Sequence, residues 1–200
     1  MSKAEDILEF WFGETGADGA YDQGKYDLWF RHGRRFDEHI TEQFGGDLEQ
    51  AVRGELDHWC ESARGRMALI ILLDQFSRHV YRGTAQAFAQ DAKAQQLVLE
   101  GLLQGADRKL TPVERSFFYL PLEHAEDREL QRRSVELYRR LQDDVSPAYQ
   151  TEYANFLDYA IRHQQIIDRF GRFPDLNPIL GREPTSEETE FLKQPGSSFL

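Results

Sequence analysis

The chain has 200 residues, with 24 basic and 35 acidic side chains, and its formal net charge at pH 7 is −11. A surface this acidic repels phosphate backbones unless its basic residues gather on one face, and only short arginine pairs occur, so we expect no nucleic-acid partner. No apolar run approaches the roughly 20 residues of a membrane helix, and the first residues lack the pattern of a signal peptide. Because Cys60 is the single cysteine, we expect no internal disulfide and predict a cytoplasmic protein without a membrane partner.

Apolar residues recur at helical rather than strand spacing from end to end, which predicts an all-α fold. Hydrophobic residues make up 40% of the chain, enough for one substantial core. We therefore predict a single helical domain over residues 1–200 with about eight or nine helices. Its last part, 172–200, combines four prolines with apolar anchors and is expected to be an irregular tail that packs back on the helices.

The N-terminal half begins with a capping-box pattern, in which Ser2 and Glu5 precede a run of apolar residues. The stretch 67–76 is apolar on nearly every side and would suit a buried strand or a buried helix; its Leu and Met content favours a central helix. The predicted elements are, in order, a helix ending at Gly13, a loop at 14–24, an aromatic-striped helix at 25–44 ended by Gly45 and Gly46, a shorter helix at about 48–60, and the buried helix at 67–76.

The C-terminal half has clearer helix signals. Thr111, Pro112 and Glu114 form a capping box with proline at the first helical position, which predicts a helix start. The helix that starts after Thr111 is expected to end near Pro121. Before it, a helix after Gly83 is predicted to bury Phe88, Ala92, Gln95, Leu99 and Leu102. After it we predict a helix with Leu130, Ser134, Leu137 and Leu141 on one face, a long helix from Pro147 to Gly171, and a short helix at about 186–192.

Common catalytic motifs are incomplete in this sequence. Residues 19–26 resemble a phosphate loop but end in Tyr26 instead of the required Ser or Thr, and no strand precedes them. Glu55 and His58 have the spacing of a di-iron motif, which needs two copies where the chain has one. His32, His39 and His58 lie among charged residues and are predicted to be on the surface.

Charged residues directly continue the apolar run that ends at Leu73. Asp74 and Arg78 are four residues apart on one helical face, and an unpaired charge there would cost about 3–5 kcal/mol. Each must therefore meet a partner in the fold. The candidate ligand-binding residues are Asp74, Gln75, Arg78, Glu123, His124, His163, Arg169, Arg172 and Asn177, with Arg182 close to them in the tail.

Three interpretations of these polar residues remain open. A structural network would pair Arg78 with a carboxylate and use Arg169 and Arg172 to tie the tail to the helices. A cleft for a small polar or anionic ligand would use arginine as a planar fork, with His124, His163 or Glu123 as candidate catalytic residues. A metal held by His124, His163 and a carboxylate is the third interpretation, and the preferred expectation is that neither a metal nor a cofactor is bound.

Four ordered motifs resemble the bacterial family catalogued as domain of unknown function 924. They are Ile7-Leu-Glu-Phe-Trp-Phe-Gly13, Leu72-Leu-Asp74-Gln-Phe-Ser-Arg78, Phe118-Tyr-Leu-Pro-Leu-Glu123-His124 and Arg169-Phe-Gly-Arg-Phe-Pro174. The resemblance covers essentially the whole chain and implies an all-helical fold similar to tetratricopeptide-repeat proteins. It implies no activity. The family pattern favours Pro at Ser77, Asn at His79 and His-Arg at Asp175 and Leu176.

These observations lead to three hypotheses of function. The first is a tetratricopeptide-like, right-handed superhelical binding or scaffold protein whose concave surface receives a peptide or a small polar ligand. The second is a small-molecule hydrolase or lyase that uses the Asp, Arg, Glu and His residues named above. The third is a purely structural homodimer, because aromatic residues are 12% of the chain and an exposed group of them would form an interface. The expected state is thus a monomer or a homodimer.

Overall fold

The computed structural model describes residues 3–31 and 33–199, and these ranges contain α-helices and short helical turns but no strand. The predicted all-α class is therefore confirmed. The α-helices in these ranges are α1 (Lys3–Phe12), α2 (Asp37–Val52), α3 (Ala63–Ile70), α4 (Ser77–Val80), α5 (Asp91–Leu103), α6 (Pro112–Glu123), α7 (Arg128–Asp144), α8 (Gln150–Phe170), α9 (Asn177–Leu180) and α10 (Ser186–Phe191). In the described part of the chain, no helix is long and apolar enough to cross a bilayer.

The N-terminal region departs most from the prediction. Helix α1 ends before Gly13 as expected, and Gly13 has a φ of +60°, whereas the Ser2 cap lies outside the described residues. The single helix predicted over 25–44 is wrong: the chain forms turns at Gln23–Lys25, Asp27–Arg31 and Gly33–Phe36 before α2 begins. The helix predicted at 48–60 is also wrong, because α2 ends at Val52 and a 3-10 turn follows at Asp57–Glu61.

Helix α2 continues through Gly45 and Gly46, where an end was predicted. A glycine inside a helix costs about 1 kcal/mol relative to alanine. Ile40, Leu48 and Ala51 are fully buried on the two sides of the glycines, and the burial of each large side chain is worth about 1.5–3 kcal/mol. Packing therefore outweighs the local preference for an end.

The two helical glycines with opposite surroundings provide a test. A Cβ at Gly46 would meet nothing within 4 Å, whereas a Cβ at Gly101 in α5 would lie 2.6 Å from Phe118 Cζ and 2.7 Å from Arg66 Cδ. We expect Gly46→Ala to raise the free energy of unfolding by about 0.5–1 kcal/mol and Gly101→Ala to lower it by about 1–3 kcal/mol. Urea denaturation measures both, and a stabilising Gly101→Ala would contradict the close packing.

The apolar stretch 67–76 forms a buried helical segment, as predicted. Helix α3, a π-helical turn at Ile71–Phe76 and α4 follow one another without a break, and every residue of 67–74 is fully buried. Helices α1, α5 and α6 pack against α3, while α2 packs against the π-helical turn. In that turn the N–H of Ser77 donates to the carbonyl of Leu72, five residues earlier, and such widened turns are frequent at functional sites.

Helices α6, α7 and α8 form the C-terminal layer, in which α7 contacts both neighbours. The capping box of Thr111 and Glu114 is present, and α8 ends at Gly171 with a φ of +71°, as predicted. The predicted end of α6 near Pro121 is two residues early. Proline removes its own N–H donor and crowds the carbonyl four residues earlier, but the next turn still closes because the N–H of His124 donates to the carbonyl of Leu120.

The buried face of α5 differs from the predicted one. Ala94, Leu97, Val98 and Gly101 are buried, while Ala92 of the predicted stripe is exposed. Gly101 accounts for the different buried face of α5, since its lack of a side chain lets Arg66 of α3 and Phe118 of α6 approach the helix closely.

The tail packs back on α8, as expected. Phe173 is buried with Ile166 and Ile167, and the partly buried residues Phe170, Leu176, Phe191 and Phe199 pack against these three.

Candidate functional site

Asp74 is the centre of a buried polar cluster and lies in the π-helical turn of the central segment. Its side chain is 1% exposed. His124, the residue that follows α6, places Nδ1 2.8 Å from Asp74 Oδ1, and Gln75 donates a hydrogen bond to Asp74 Oδ2. Arg78 brings its Nη1 to 3.2 Å from Asp74 Oδ1. The fold therefore brings three other predicted site residues together around the carboxylate of Asp74.

The protonation states of Asp74 and His124 follow from their surroundings. Burial alone would raise the pKa of Asp74, but the charges of Arg78 and His124 and the hydrogen bonds from His124 and Gln75 hold that pKa below its usual range. An ionised carboxylate only accepts hydrogen bonds, so Nδ1 of His124 carries the proton and donates. In the neutral imidazole, Nε2 is then the ring nitrogen left free to accept. The His124 side chain is 19% exposed.

Asp91 and Phe88 complete the surroundings of Arg78, and neither was among the predicted site residues. The two Nη atoms of Arg78 donate to the two carboxylate oxygens of Asp91 at 2.9 and 3.0 Å, and Nη1 also donates to the Asp74 carbonyl at 2.7 Å. The guanidinium carbon lies 5.2 Å from the centroid of the Phe88 ring. Burial raises the pKa of Asp91 although Arg78 opposes the shift. Arg78 is thus engaged by two carboxylates.

Glu123 and His163 form a second histidine–carboxylate pair beside the first. Glu123 Oε1 lies 2.9 Å from His163 Nδ1, and both side chains are less than a tenth exposed. The same Nδ1 donates its hydrogen bond to the carbonyl of Tyr159 at 2.8 Å, one turn earlier in α8, and the Glu123 carboxylate lies close to that nitrogen. The ring centroids of His124 and His163 are 6.3 Å apart.

The remaining predicted residues lie in a separate network that ties the tail to the helices. Arg172 donates to both carboxylate oxygens of Glu188, and Asn177 donates to Glu188 Oε2. The hydrogen bond from Arg172 is the main cause that lowers the pKa of Glu188 to about 2. Further contacts run from Arg182 to Asn177 and Glu126, and from Arg169 to Glu187 at the exposed surface. Arg169 therefore links α8 to the tail, as the structural-network interpretation expects, whereas Arg172 pairs with a carboxylate inside the tail.

The metal interpretation requires several ligand side chains that point at one position. Within residues 3–31 and 33–199, no three His, Cys, Asp or Glu side chains are grouped so that they could hold a metal ion. His124 and His163 instead direct Nδ1 towards different carboxylates. Two surface depressions, of about 480 and 540 Å³, lie against α1 and in the loop at 14–22, and neither includes a predicted site residue. His39 and His58 are exposed as predicted, and His32 lies outside the described residues.

His79, which was not among the predicted site residues, forms a third histidine–carboxylate pair. Its Nδ1 lies 2.7 Å from Asp37 Oδ1, and Arg82 also donates to both oxygens of Asp37. The ring packs edge-on against Trp11, with centroids 5.9 Å apart. Burial lowers the pKa of His79, and Arg82 adds to this, while Asp37 opposes it.

The lowered pKa of His79 predicts an acid-sensitive contribution to stability. The unfolded chain takes up a proton near the ordinary histidine pKa of about 6.5, whereas the folded protein does so only at lower pH. The contribution is therefore present above pH 6.5 and lost as the pH falls towards the folded pKa, by at most about 1.4 kcal/mol per pH unit. We expect His79→Asn, the residue of the family pattern, to flatten the fall in the free energy of unfolding between pH 7.5 and 5.5.

Urea denaturation at three pH values measures this effect. His39→Asn is the matched control, because His39 is exposed and its replacement should leave the slope unchanged. Parallel profiles for the wild type and His79→Asn would contradict the prediction.

Fold and site together define an all-α protein with a buried cluster of histidines and carboxylates. The chain belongs to the family described as "Bacterial protein of unknown function (DUF924)", which it matches over residues 7–196. Among solved structures, it is similar to a protein of unknown function from Agrobacterium tumefaciens, with 37% sequence identity and a TM-score of 0.79 over 95% of this chain and 96% of that chain. No curated protein matches the sequence.

Proposed function

We propose that the protein binds a small polar or anionic ligand where the imidazoles of His124 and His163 come together. The observation that carries the proposal is that these two rings lie 6.3 Å apart and each is held through Nδ1 against a buried carboxylate. In the described part of the chain no hydrogen bond reaches Nε2 of either ring. A ligand with polar groups of matching spacing would satisfy both nitrogens at once.

The proposal includes a tetratricopeptide-like arrangement in a cytoplasmic protein. Connections of four or five residues join α6 to α7 and α7 to α8, and helices with such short links usually pack as antiparallel neighbours. Stacked helical hairpins form a concave surface as a consequence of their geometry. A peptide that lies along this surface is the alternative ligand.

One observation favours a second function, an acid–base enzyme of the hydrolase or lyase type. Asp74 is buried and ionised, and it orients the more exposed His124 through Nδ1. This arrangement prepares Nε2 to remove a proton from a bound substrate. In such an enzyme His163 with Glu123 would be the partner acid. Turnover of a bound ligand that is lost in Asp74→Asn would separate this function from simple binding.

The binding proposal is tested by following the ring nitrogens of both histidines in ¹⁵N-labelled protein. The probes are sodium acetate, inorganic phosphate and diglycine. We expect the Nε2 signals of His124 and His163 to shift on addition of at least one probe, and His124→Gln to weaken that binding about tenfold or more, as the loss of one good hydrogen bond implies. His39→Gln is the control and should bind as the wild type does. No response of either ring nitrogen to any probe would overturn the proposal.

A further inference from the structure

The last residues of the described chain lie over the imidazole of His163. The Phe199 ring stacks on it with centroids 3.6 Å apart and planes 15° from parallel. Phe173 meets the same imidazole edge-on at 5.5 Å. His163 thus contacts one aromatic side chain from the core of the tail, Phe173, and one close to the last described residue, Phe199.

Hydrogen bonds near the surface hold the segment of Phe199 in place, beside the ring contacts of Phe199 with His163 and Tyr159. The N–H of Phe199 and the hydroxyl of Ser198 both donate to Asp175 Oδ2 at 3.0 Å, and Arg162 donates to the carbonyl of Gly196 at 3.1 Å. Phe199 itself remains partly exposed. Water can replace hydrogen bonds of this kind at little net cost, so this segment belongs to the part of the fold that opens with the least free energy.

Arg162 places a positive charge beside the stacked rings. Its guanidinium carbon lies 5.1 Å from the centroid of Tyr159 and 5.3 Å from the centroid of Phe199. No carboxylate of the described residues forms an ion pair with it, although the whole chain has a net charge of −11. The position therefore combines a flat aromatic face with a guanidinium that a carboxylate could still pair with.

We propose that Phe199 occupies a subsite for the planar ring of a small aromatic carboxylate. The ligand ring would stack on His163 in place of Phe199, and its carboxylate would pair with Arg162. This inference rests on the proposed function, because it assigns a chemical class to the ligand that meets His163. Aromatic stacking favours a planar ring over a saturated one of the same size by about two- to tenfold in Kd. Phe199 is part of the same chain and competes with the ligand for this position. The apparent affinity for the ligand is therefore lower than the intrinsic affinity, in proportion to the fraction of molecules in which the subsite is open.

Phe199→Ala in the 200-residue chain tests the competition, with phenylacetate as the probe. We expect the Kd for phenylacetate to fall by about tenfold or more relative to the wild type, and the His163 ring protons to shift on binding. Phe199→Trp keeps a stacking ring and should bind as weakly as the wild type. Phe191→Ala is the matched control, since Phe191 packs on Phe170, and should leave the Kd unchanged.

Two further measurements test the ring and the charge in the Phe199→Ala protein. Cyclohexylacetate should bind several-fold more weakly than phenylacetate, and Arg162→Gln should weaken binding of phenylacetate but not of neutral phenylacetamide. Equal Kd values for phenylacetate in wild type and Phe199→Ala, or equal Kd values for the two acids, would overturn the subsite. If acetate or phosphate shifts Nε2 of His124 while phenylacetate does not bind, only the subsite fails. If phenylacetate binds at His163 and no probe shifts Nε2 of His124, the subsite stands and the His124 part of the proposed function fails.

Discussion

Asp74→Ala is expected to lower the free energy of unfolding by about 3–5 kcal/mol, the usual cost of removing one partner of a buried ion pair. Asp74 is fully buried and faces both Arg78 and His124. Without it, the Nδ1–H of His124 loses its acceptor, and Arg78 keeps only Asp91 as a counter-charge. Asp74→Asn should cost less than the alanine variant, because its amide oxygen still accepts a hydrogen bond from His124. Urea denaturation at pH 7 measures both values.

Glu136→Ala is the matched control for this prediction. Glu136 Oε1 lies 2.8 Å from Arg140, four residues further on, but the two side chains are 60% and 66% exposed. Exposed helical pairs contribute about 0.3–0.5 kcal/mol. The two variants thus differ in burial and not in contact distance. Equal losses for Asp74→Ala and Glu136→Ala would contradict the view that Asp74 organises the buried cluster.

The need for partners around Asp74 could be predicted from sequence because it follows from one local fact, a charged residue that directly continues a buried helix. His124 was found because it follows an apolar helix that ends close to a proline. Asp91 was missed, since the first position of a helix is a common place for an exposed aspartate. Only the packing of α5 against the central segment brings Asp91 to Arg78.

The difference between local sequence signals and contacts of distant residues also explains which fold predictions were wrong. The capping box at Thr111 and the glycine at the end of α8 are short-range signals, and the structure contains both. The end predicted at Gly45 and Gly46 relied on a local preference of about 1 kcal/mol per glycine, which contacts with distant residues outweigh. Glu123 and His163 lie 40 positions apart in the chain, and no local sequence pattern indicates that they pair.

Arg66→Ala is the second variant for which we expect a large loss, about 3–5 kcal/mol. The Arg66 side chain is 3% exposed and lies between α3 and α5. It donates to the carbonyl of Leu97 at 3.0 Å, to Gln104 Oε1 at 3.0 Å and to the carbonyl of Cys60 at 3.4 Å. Its removal would take one donor from each of these acceptors and open a cavity against Gly101.

Two comparisons show whether the fork shape or only the charge of Arg66 matters. Arg66→Lys keeps the charge but has one ammonium group in place of a planar fork, so it should recover only part of the loss. Arg53→Ala is the control, because Arg53 is 54% exposed although it lies 2.7 Å from Glu55, and it should change the free energy of unfolding by at most about 0.5 kcal/mol. Full recovery by lysine in urea denaturation would show that α3 and α5 are held by charge alone. Partial recovery is expected, since Leu97, Gln104 and Cys60 present separate acceptors that a single ammonium cannot reach together.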